Sequence, residues 1–278
     1  MLSYLHGFHA GNFADVHKHH TLVALLTSLN RKEKPWSYLE THSGKAAYDL
    51  SDDQALKTLE FKDGISKLWT HPSVNESLLA YLECVKQCNG DELQSYPGSP
   101  AIAASMAREA DKLHLMELHP NEVKVLKHHF RRDPRVSVHH RDGYEGVLSL
   151  LPPKPNRGLV LIDPSYEVKE EYEQVVHFIT MAHKRWPIGT YAIWYPLLPA
   201  NRWRFMLEDL RRTGIRNMLL SELHVKQPSE QGMYGSGMLI INPPWNLEGA
   251  LKSGVSAMVD LLKQDASAHA EVSVWVGE

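Results

Sequence analysis

Cysteine is nearly absent from this chain of 278 residues, which holds only Cys84 and Cys88. Two cysteines exclude a disulfide framework. The C-x3-C spacing is neither the zinc nor the redox pattern, so both are expected as reduced thiols sharing one helical face. No apolar run approaches the roughly 18 residues of a membrane span. The opening Met1-Leu2-Ser3-Tyr4-Leu5-His6 lacks the basic start and apolar core of a signal peptide. Charge of one sign is not in excess: 30 Lys and Arg stand against 33 Asp and Glu, a net charge of −3. That balance argues against strong, sequence-independent binding to nucleic acid. Repeats and low-complexity segments are missing too. What remains is a soluble, cytoplasmic globular protein, whose 43% hydrophobic content suffices for a full core.

The balance hides local basic clusters. Arg31-Lys32-Glu33-Lys34 is one. Lys124, Lys127, Arg131, Arg132, Arg135 and Arg141 form a second. Arg202-Trp203-Arg204 with Arg211, Arg212 and Arg216 form a third. Each reads first as a solvated helix face; together they allow a phosphate-binding surface.

Along the chain, a His- and Gly-rich loop (residues 1–11) precedes a helix starting at Asn12 or Asp15 and running to about Asn30. Trp36 to Glu40 reads as a first strand. Residues 48–96 have helical spacing (Leu56, Leu59, Ile65, Leu68, then Leu78, Leu82, Val85) and no strand signal. They are expected to form an inserted helical subdomain, dividing the main domain into residues 1–47 and 97–278. A regular alternation follows, with strands at Leu113–Leu118, Val136–His140, Leu159–Ile162 and Tyr191–Tyr195, each followed by a helix. Such alternation implies a parallel sheet covered on both faces. Asn217–Val225 and Met238–Ile241, around a Gly-rich turn, imply an antiparallel hairpin at one edge. The expectation is an α/β, Rossmann-like fold with a mostly parallel seven-stranded sheet.

Acids fall at the strand ends: Glu40, Glu117, Asp142 and Asp163. In open α/β sheets the carboxyl ends of the strands are where ligands bind. Glu117, ending the second strand, suits ribose hydroxyls, and Asp142 suits an adenine amine. The turn after the first strand, Thr41-His42-Ser43-Gly44, lacks G-x-G-x-x-G, which disfavours a pyrophosphate and hence a nicotinamide oxidoreductase. A phosphate-free nucleoside such as S-adenosylmethionine fits better. The fourth strand ends in Asp163-Pro164-Ser165-Tyr166. Taken alone this is either ordinary turn chemistry or an acid, a carbonyl and an aromatic ring placed to grip the exocyclic amine of a flipped base.

A second stretch, Asn242-Pro243-Pro244-Trp245, matches the [Asp/Asn]-Pro-Pro-aromatic signature of amino-methyltransferases better by letters. It follows the hairpin, so it is expected at the opposite rim, as a Pro-terminated strand with a core Trp. Five histidines crowd the first twenty residues (His6, His9, His17, His19, His20), but no carboxylate or cysteine completes a familiar ligand spacing, and no metal is expected. Lys18 and His19 lie on the first helix, from which they can fold over the acidic rim. Tyr4 and His6 can reach a base by stacking or hydrogen bonding.

In order along nearly the whole chain, several segments resemble the RlmJ family of bacterial 23S ribosomal RNA adenine-N6 methyltransferases. They are Met1 to Tyr4, Phe8 to Asn12, Lys18-His19, Thr41 to Gly44, Tyr96 to Pro100, Glu117 to Pro120, Asp142-Gly143, Leu161 to Pro164, Gly189 to Pro196 and Gly237 to Trp245. The resemblance implies S-adenosylmethionine as cofactor, with S-adenosylhomocysteine as product. It implies cofactor contacts at His19, His42, Ser99, Glu117, Asp142, Gly143 and Asp163. It also implies Asp163, Pro164 and Tyr166 at the reacting end, and Tyr4, His6 and Lys18 serving substrate or cofactor. The implied partner is 23S ribosomal RNA, free or early in assembly, for a monomer with no membrane and no obligate protein partner. Two departures stand out: Ser165 replaces the second proline of the family's Asp-Pro-Pro-Tyr, and Ala46 replaces a glycine of the first turn. Methylation of DNA adenine and a non-catalytic RNA-binding protein on the same fold are the alternatives. If the fourth-strand motif is the reacting one, Asp163→Ala abolishes methyl transfer in a folded protein, whereas Asn242→Ala leaves it largely intact. A labelled-methyl assay on both variants separates the two motifs.

Overall fold

The computed structural model describes residues 5–71 and 75–278. In chain order the elements are α1 (Phe13–Asn30), β1 (Ser37–Glu40), β2 (Ala47–Asp49), α2 (Asp53–Thr58), α3 (Ile65–Trp69), α4 (Glu76–Lys86), β3 (Ser95–Pro97), α5 (Ser99–Met106), β4 (Lys112–Met116) and α6 (Pro120–His129). There follow β5 (Val136–His139), α7 (Gly143–Leu150), β6 (Gly158–Ile162), α8 (Glu171–Arg185), β7 (Thr190–Leu197), α9 (Arg202–Arg212), β8 (Met218–His224), β9 (Gly235–Ile241), α10 (Leu247–Leu262) and β10 (His269–Val276).

The main sheet is Rossmann-like, with order β10-β8-β9-β7-β6-β1-β4-β5. The pairings β5–β4–β1–β6–β7 are parallel, and β9 joins β7 antiparallel. The central strands β1 and β6 are buried along their whole length, as strands covered on both faces must be. The sheet carries one strand beyond the seven expected. β10 lies outside β8, antiparallel to it, with a register shift between Val274 and Val276. Its alternation of Ala270, Val272 and Val274 with Glu271 and Ser273 is the signal that would have found it. The hairpin therefore sits inside the edge.

Helix α1 explains much of the rest. Asn12 caps it, its side chain accepting from the Ala14 and Asp15 amides at 2.9 Å each. The helix is buried on nearly every side, packed among α4, α5, α10 and β9. Its polar side chains must then find partners inside. His17 bonds Ser236 of β9 and Ser221 of β8, both at 3.0 Å. His19 bonds the Tyr96 hydroxyl at 2.8 Å, and His20 bonds Ser77 at 2.6 Å.

Between β2 and β3, which pair antiparallel, the described chain is helical. α4 packs on α1 and α10, and Leu78, Tyr81, Leu82 and Val85 share one hydrophobic cluster with α1. Because α4 ends at Lys86, Cys88 lies beyond it. Cys84 is buried and Cys88 exposed, which corrects the expectation of a shared face.

The two Pro-bearing motifs separate by strand direction. Asn242 follows β9, which runs against β7, so it emerges beside the start of β7. There its amide donates to the Pro187 and Gly189 carbonyls at 2.8 Å each, and Thr190 donates to its carbonyl at 3.0 Å. Trp245 is not a core residue; it is 86% exposed. The chain turns at Asn246 (φ 73°) as α10 begins.

Candidate functional site

At the carboxyl rim, β1 stays in register with its neighbours past its last residue. The Thr41 amide donates to Leu161 at 3.1 Å and the Ser43 amide to Met116 at 3.0 Å. Gly44 then turns the chain at φ +57°, a conformation that favours glycine. Glu117 braces the turn from β4, its two oxygens accepting the Gly44 amide at 2.7 Å and the His119 amide at 2.6 Å. Asp142 caps α7 through the Glu145 amide at 2.9 Å. Gly143 is required by contact: a Cβ there would lie 1.9 Å from the Thr41 carbonyl oxygen.

These segments enclose a cavity of about 250 Å³. His6, Lys18, His19, His42, Ser99, Glu117, Asp142, Gly143, Asp163 and Pro164 all line it. The structure thus brings ten of the expected site residues to one place. Tyr4 lies outside the described residues. Tyr166 does not line the cavity, contrary to expectation. Its backbone sits at φ +55°, uncommon and strained for an aromatic residue, and its ring turns into the core. The hydroxyl donates to the Trp194 carbonyl at 2.8 Å, and the ring packs 4.4 Å from that of Tyr172. Ser165 does line the cavity, with long 3.4 Å contacts to Glu171 and to the Glu167 amide.

Lys18 is the centre of the site's electrostatics. Only 3% exposed, its ammonium lies 2.5 Å from an Asp163 oxygen and 2.9 Å from an Asp15 oxygen. The Asp15 carboxylate also accepts the Gly11 amide at 2.9 Å and meets His6 at 2.8 Å. Burial opposes charge on both Lys18 and Asp15. The carboxylates outweigh it and hold the lysine pKa above its usual value, while His6 and Lys18 hold Asp15 well below the usual carboxylate range. The imidazoles differ: burial pushes His19 down to about 3 and His42 down to about 4, so both are neutral.

Glu40 is a strand-end acid that does not reach the cavity. It is wholly buried behind Ser99, whose hydroxyl donates to it at 2.5 Å. Burial raises it to about 8. Sequence reasoning assigned no role to the cavity-lining hydroxyls of Ser43, Tyr48 and Tyr144, although Ser43 lies within the Thr41–Gly44 turn it singled out and Tyr144 directly adjoins Asp142-Gly143. Among the described residues the Ser43 and Tyr144 hydroxyls are buried without a partner, so each can bond a ligand. The wall combines acids at Glu117, Asp142 and Asp163 with neutral imidazoles. It suits a phosphate-free, cationic nucleoside and repels a pyrophosphate. The amino-terminal histidines have separate partners: His9 meets Glu60 at 3.0 Å, and the others bond the residues given above.

A family model described as "Ribosomal RNA large subunit methyltransferase D, RlmJ" matches residues 33–276. The chain is 47% identical over 255 residues to the "Ribosomal RNA large subunit methyltransferase J" of Haemophilus influenzae, covering 91% of each chain. It is 42% identical over 278 residues to the protein of the same name in Escherichia coli, covering 99% of each. Among solved structures, a Legionella pneumophila protein superposes with a TM-score of 0.88 at 38% identity, over 96% of this chain and 98% of that one.

Two outcomes follow from the site's charges. Lys18→Met leaves the buried Asp15 and the partly buried Asp163 carboxylates without their cation and lowers the unfolding free energy by about 3 kcal/mol, as read by urea denaturation. Acid also destabilises the fold. Burial holds His17 and His19 at about 3, and His20 and His42 at about 4, whereas the unfolded imidazoles protonate near about 6.5. Their stabilisation is complete above the unfolded pKa and is lost as pH falls toward the folded ones. Glu40 has the opposite sign, its raised pKa favouring the fold at low pH and losing that contribution as pH rises through about 8. Near pH ~5.5 these five groups together take up about three protons on unfolding, a slope of roughly 4 kcal/mol per pH unit. Denaturation midpoints measured between about pH 5 and pH 7 test the sign and the size.

Proposed function

This chain belongs to the RlmJ family of large-subunit ribosomal RNA methyltransferases, and on that premise we propose that it methylates the N6 amine of one adenine in 23S ribosomal RNA with S-adenosylmethionine. The supporting observation is the convergence of Asp163, Pro164, Glu117 and Asp142-Gly143 on a single acid-lined cavity at the carboxyl rim. Glu117 and Asp142 serve the nucleoside hydroxyls and base of the cofactor. His19, His42 and Ser99 line its remaining length, and the Ser43 and Tyr144 hydroxyls add bonding groups. When bound, the cofactor supplies an electrophilic methyl group on a sulfonium.

The N6 lone pair of adenine is delocalised into the ring, so the amine is a poor nucleophile. The Asp163 carboxylate and the Pro164 carbonyl accept its two hydrogens and draw the lone pair back onto nitrogen as positive charge grows there. Lys18 holds one Asp163 oxygen at 2.5 Å, which fixes the carboxylate and leaves its other oxygen for the amine. Methyl transfer depends on positioning, and the surplus proton it leaves on N6 passes to the Asp163 carboxylate. With the Tyr166 ring engaged in the core, His6 and Tyr4 are the groups assigned to the flipped base, by hydrogen bonding and stacking. Residues 48–96 act as the inserted helical subdomain beside this domain. The protein works in the cytoplasm as a monomer, on free or early-assembly RNA, with no metal in its chemistry.

Incubating the protein with methyl-labelled cofactor and unmethylated, protein-free large-subunit RNA tests the reading, with duplex DNA in parallel. Label recovered as N6-methyladenosine from the RNA is expected. Label in another nucleoside, or greater transfer to the DNA, would overturn it.

A further inference from the structure

Helix α9 follows the carboxyl end of β7, so it starts at the rim that carries the candidate site. Trp203, Met206, Leu207 and Leu210 bury one face of it. The outer face divides along its length. In the second half each cation has an acid: Arg211 lies 3.6 Å from Glu208 and Arg212 lies 3.0 Å from Asp209. In the first half Arg202 and Arg204 are both exposed, and among the described residues neither lies within salt-bridge distance of a carboxylate. Beside them the Phe205 ring is 72% exposed.

Helix stability does not explain this arrangement. Arginines at the start of a helix work against its dipole, and the first turn contains no acid to offset them. An exposed phenyl ring has no packing role. The Arg204 guanidinium sits 5.0 Å from the Trp203 ring, which orients it along the surface. The patch lies at the same rim as the site, since β7 runs parallel to β6 and α9 follows its carboxyl end.

The cavity lining is mainly acidic, with Glu117, Glu122, Asp142, Asp163, Glu167 and Glu171 against Lys18, and does not itself attract a polyanion. An exposed aromatic ring flanked by uncompensated arginines is the combination that holds single-stranded nucleic acid: bases stack on the ring while phosphates meet the cations. We propose that the amino-terminal half of α9 binds a single-stranded segment of the substrate RNA beside the target adenine. A base stacks on Phe205, and the flanking phosphates pair with Arg202 and Arg204. This rests on the function proposed above and adds a substrate subsite to it.

Filter binding of protein-free large-subunit RNA, measured across a salt series, tests the surface without requiring methyl transfer. Phe205→Ala is expected to weaken binding about tenfold with an unchanged salt slope, and Phe205→Trp to restore it. The double variant Arg202→Ala/Arg204→Ala is expected to weaken binding and to make the salt dependence of log Kd shallower by about 1.4, two single-strand phosphate contacts. Affinity for S-adenosylmethionine and the thermal midpoint stay at the wild-type values in each. Unchanged RNA affinity and salt slope in folded variants would overturn the proposal. So would an equal loss of affinity for duplex DNA, which would make the patch a general polyanion surface. If the wild type binds RNA through these residues yet transfers no methyl group, the subsite stands and the proposed function fails. If it transfers methyl and the variants bind and turn over normally, the subsite alone fails.

Discussion

The ammonium of Lys18, closed between the carboxylates of Asp15 and Asp163, is the contact on which the site's geometry depends. It joins the first helix to the tip of β6 across 145 residues of sequence. Removing three charges from water is costly, and only close pairing with further hydrogen bonds compensates for it. Here the further bonds come from the Gly11 amide and His6. These also fasten the loop before α1, so the helix, the loop and the Asp163 corner are held by one network. The triad keeps a net negative charge, and Asp163 is its member nearest solvent. The excess therefore faces the cavity.

That excess persists because the surrounding imidazoles are neutral. Burial keeps His19 and His42 unprotonated near neutral pH, so they shape the wall without cancelling Glu117, Asp142 and Asp163. A cavity of this sign accepts a cationic nucleoside and rejects phosphates. It leaves the attraction of a polyanionic substrate to surfaces outside the cavity. The two kinds of charge are separated in space, which reconciles a net charge of −3 with a nucleic-acid substrate: long-range attraction is local to patches such as α9 and is not a property of the whole molecule.

The rim was legible in the sequence for a definite reason. The strand before Asp163 is an unbroken apolar run, those before Glu117 and Asp142 alternate, and strand–helix alternation makes all three parallel, so Glu117, Asp142 and Asp163 could be placed on one edge from the pattern alone. Side-chain direction was not legible in the same way. Glu40 ends β1 as Asp163 ends β6, yet it points behind Ser99 and is buried. The inward turn of Tyr166 depends on Trp194 and Tyr172, which belong to other elements, and on a left-handed backbone that the letters Asp-Pro-Ser-Tyr do not announce. The exposure of Trp245 and the position of Cys88 depend on where a helix begins or ends by one turn, the least certain feature of any pattern reading.

Asn242-Pro243-Pro244-Trp245 and Asp163-Pro164-Ser165-Tyr166 make the strongest case that direction outranks spelling. Each follows a fully buried strand. Because β9 runs opposite to β6, the first copy emerges at the far rim, where both donors of its amide are taken by Pro187 and Gly189. An amide committed in this way ties β9 to the chain entering β7. The second copy emerges beside Glu117 and Asp142, with a carboxylate held ready by Lys18. The chemistry available to an acid or amide before proline is thus decided by which end of the sheet its strand leaves, and only afterwards by the residues beside it.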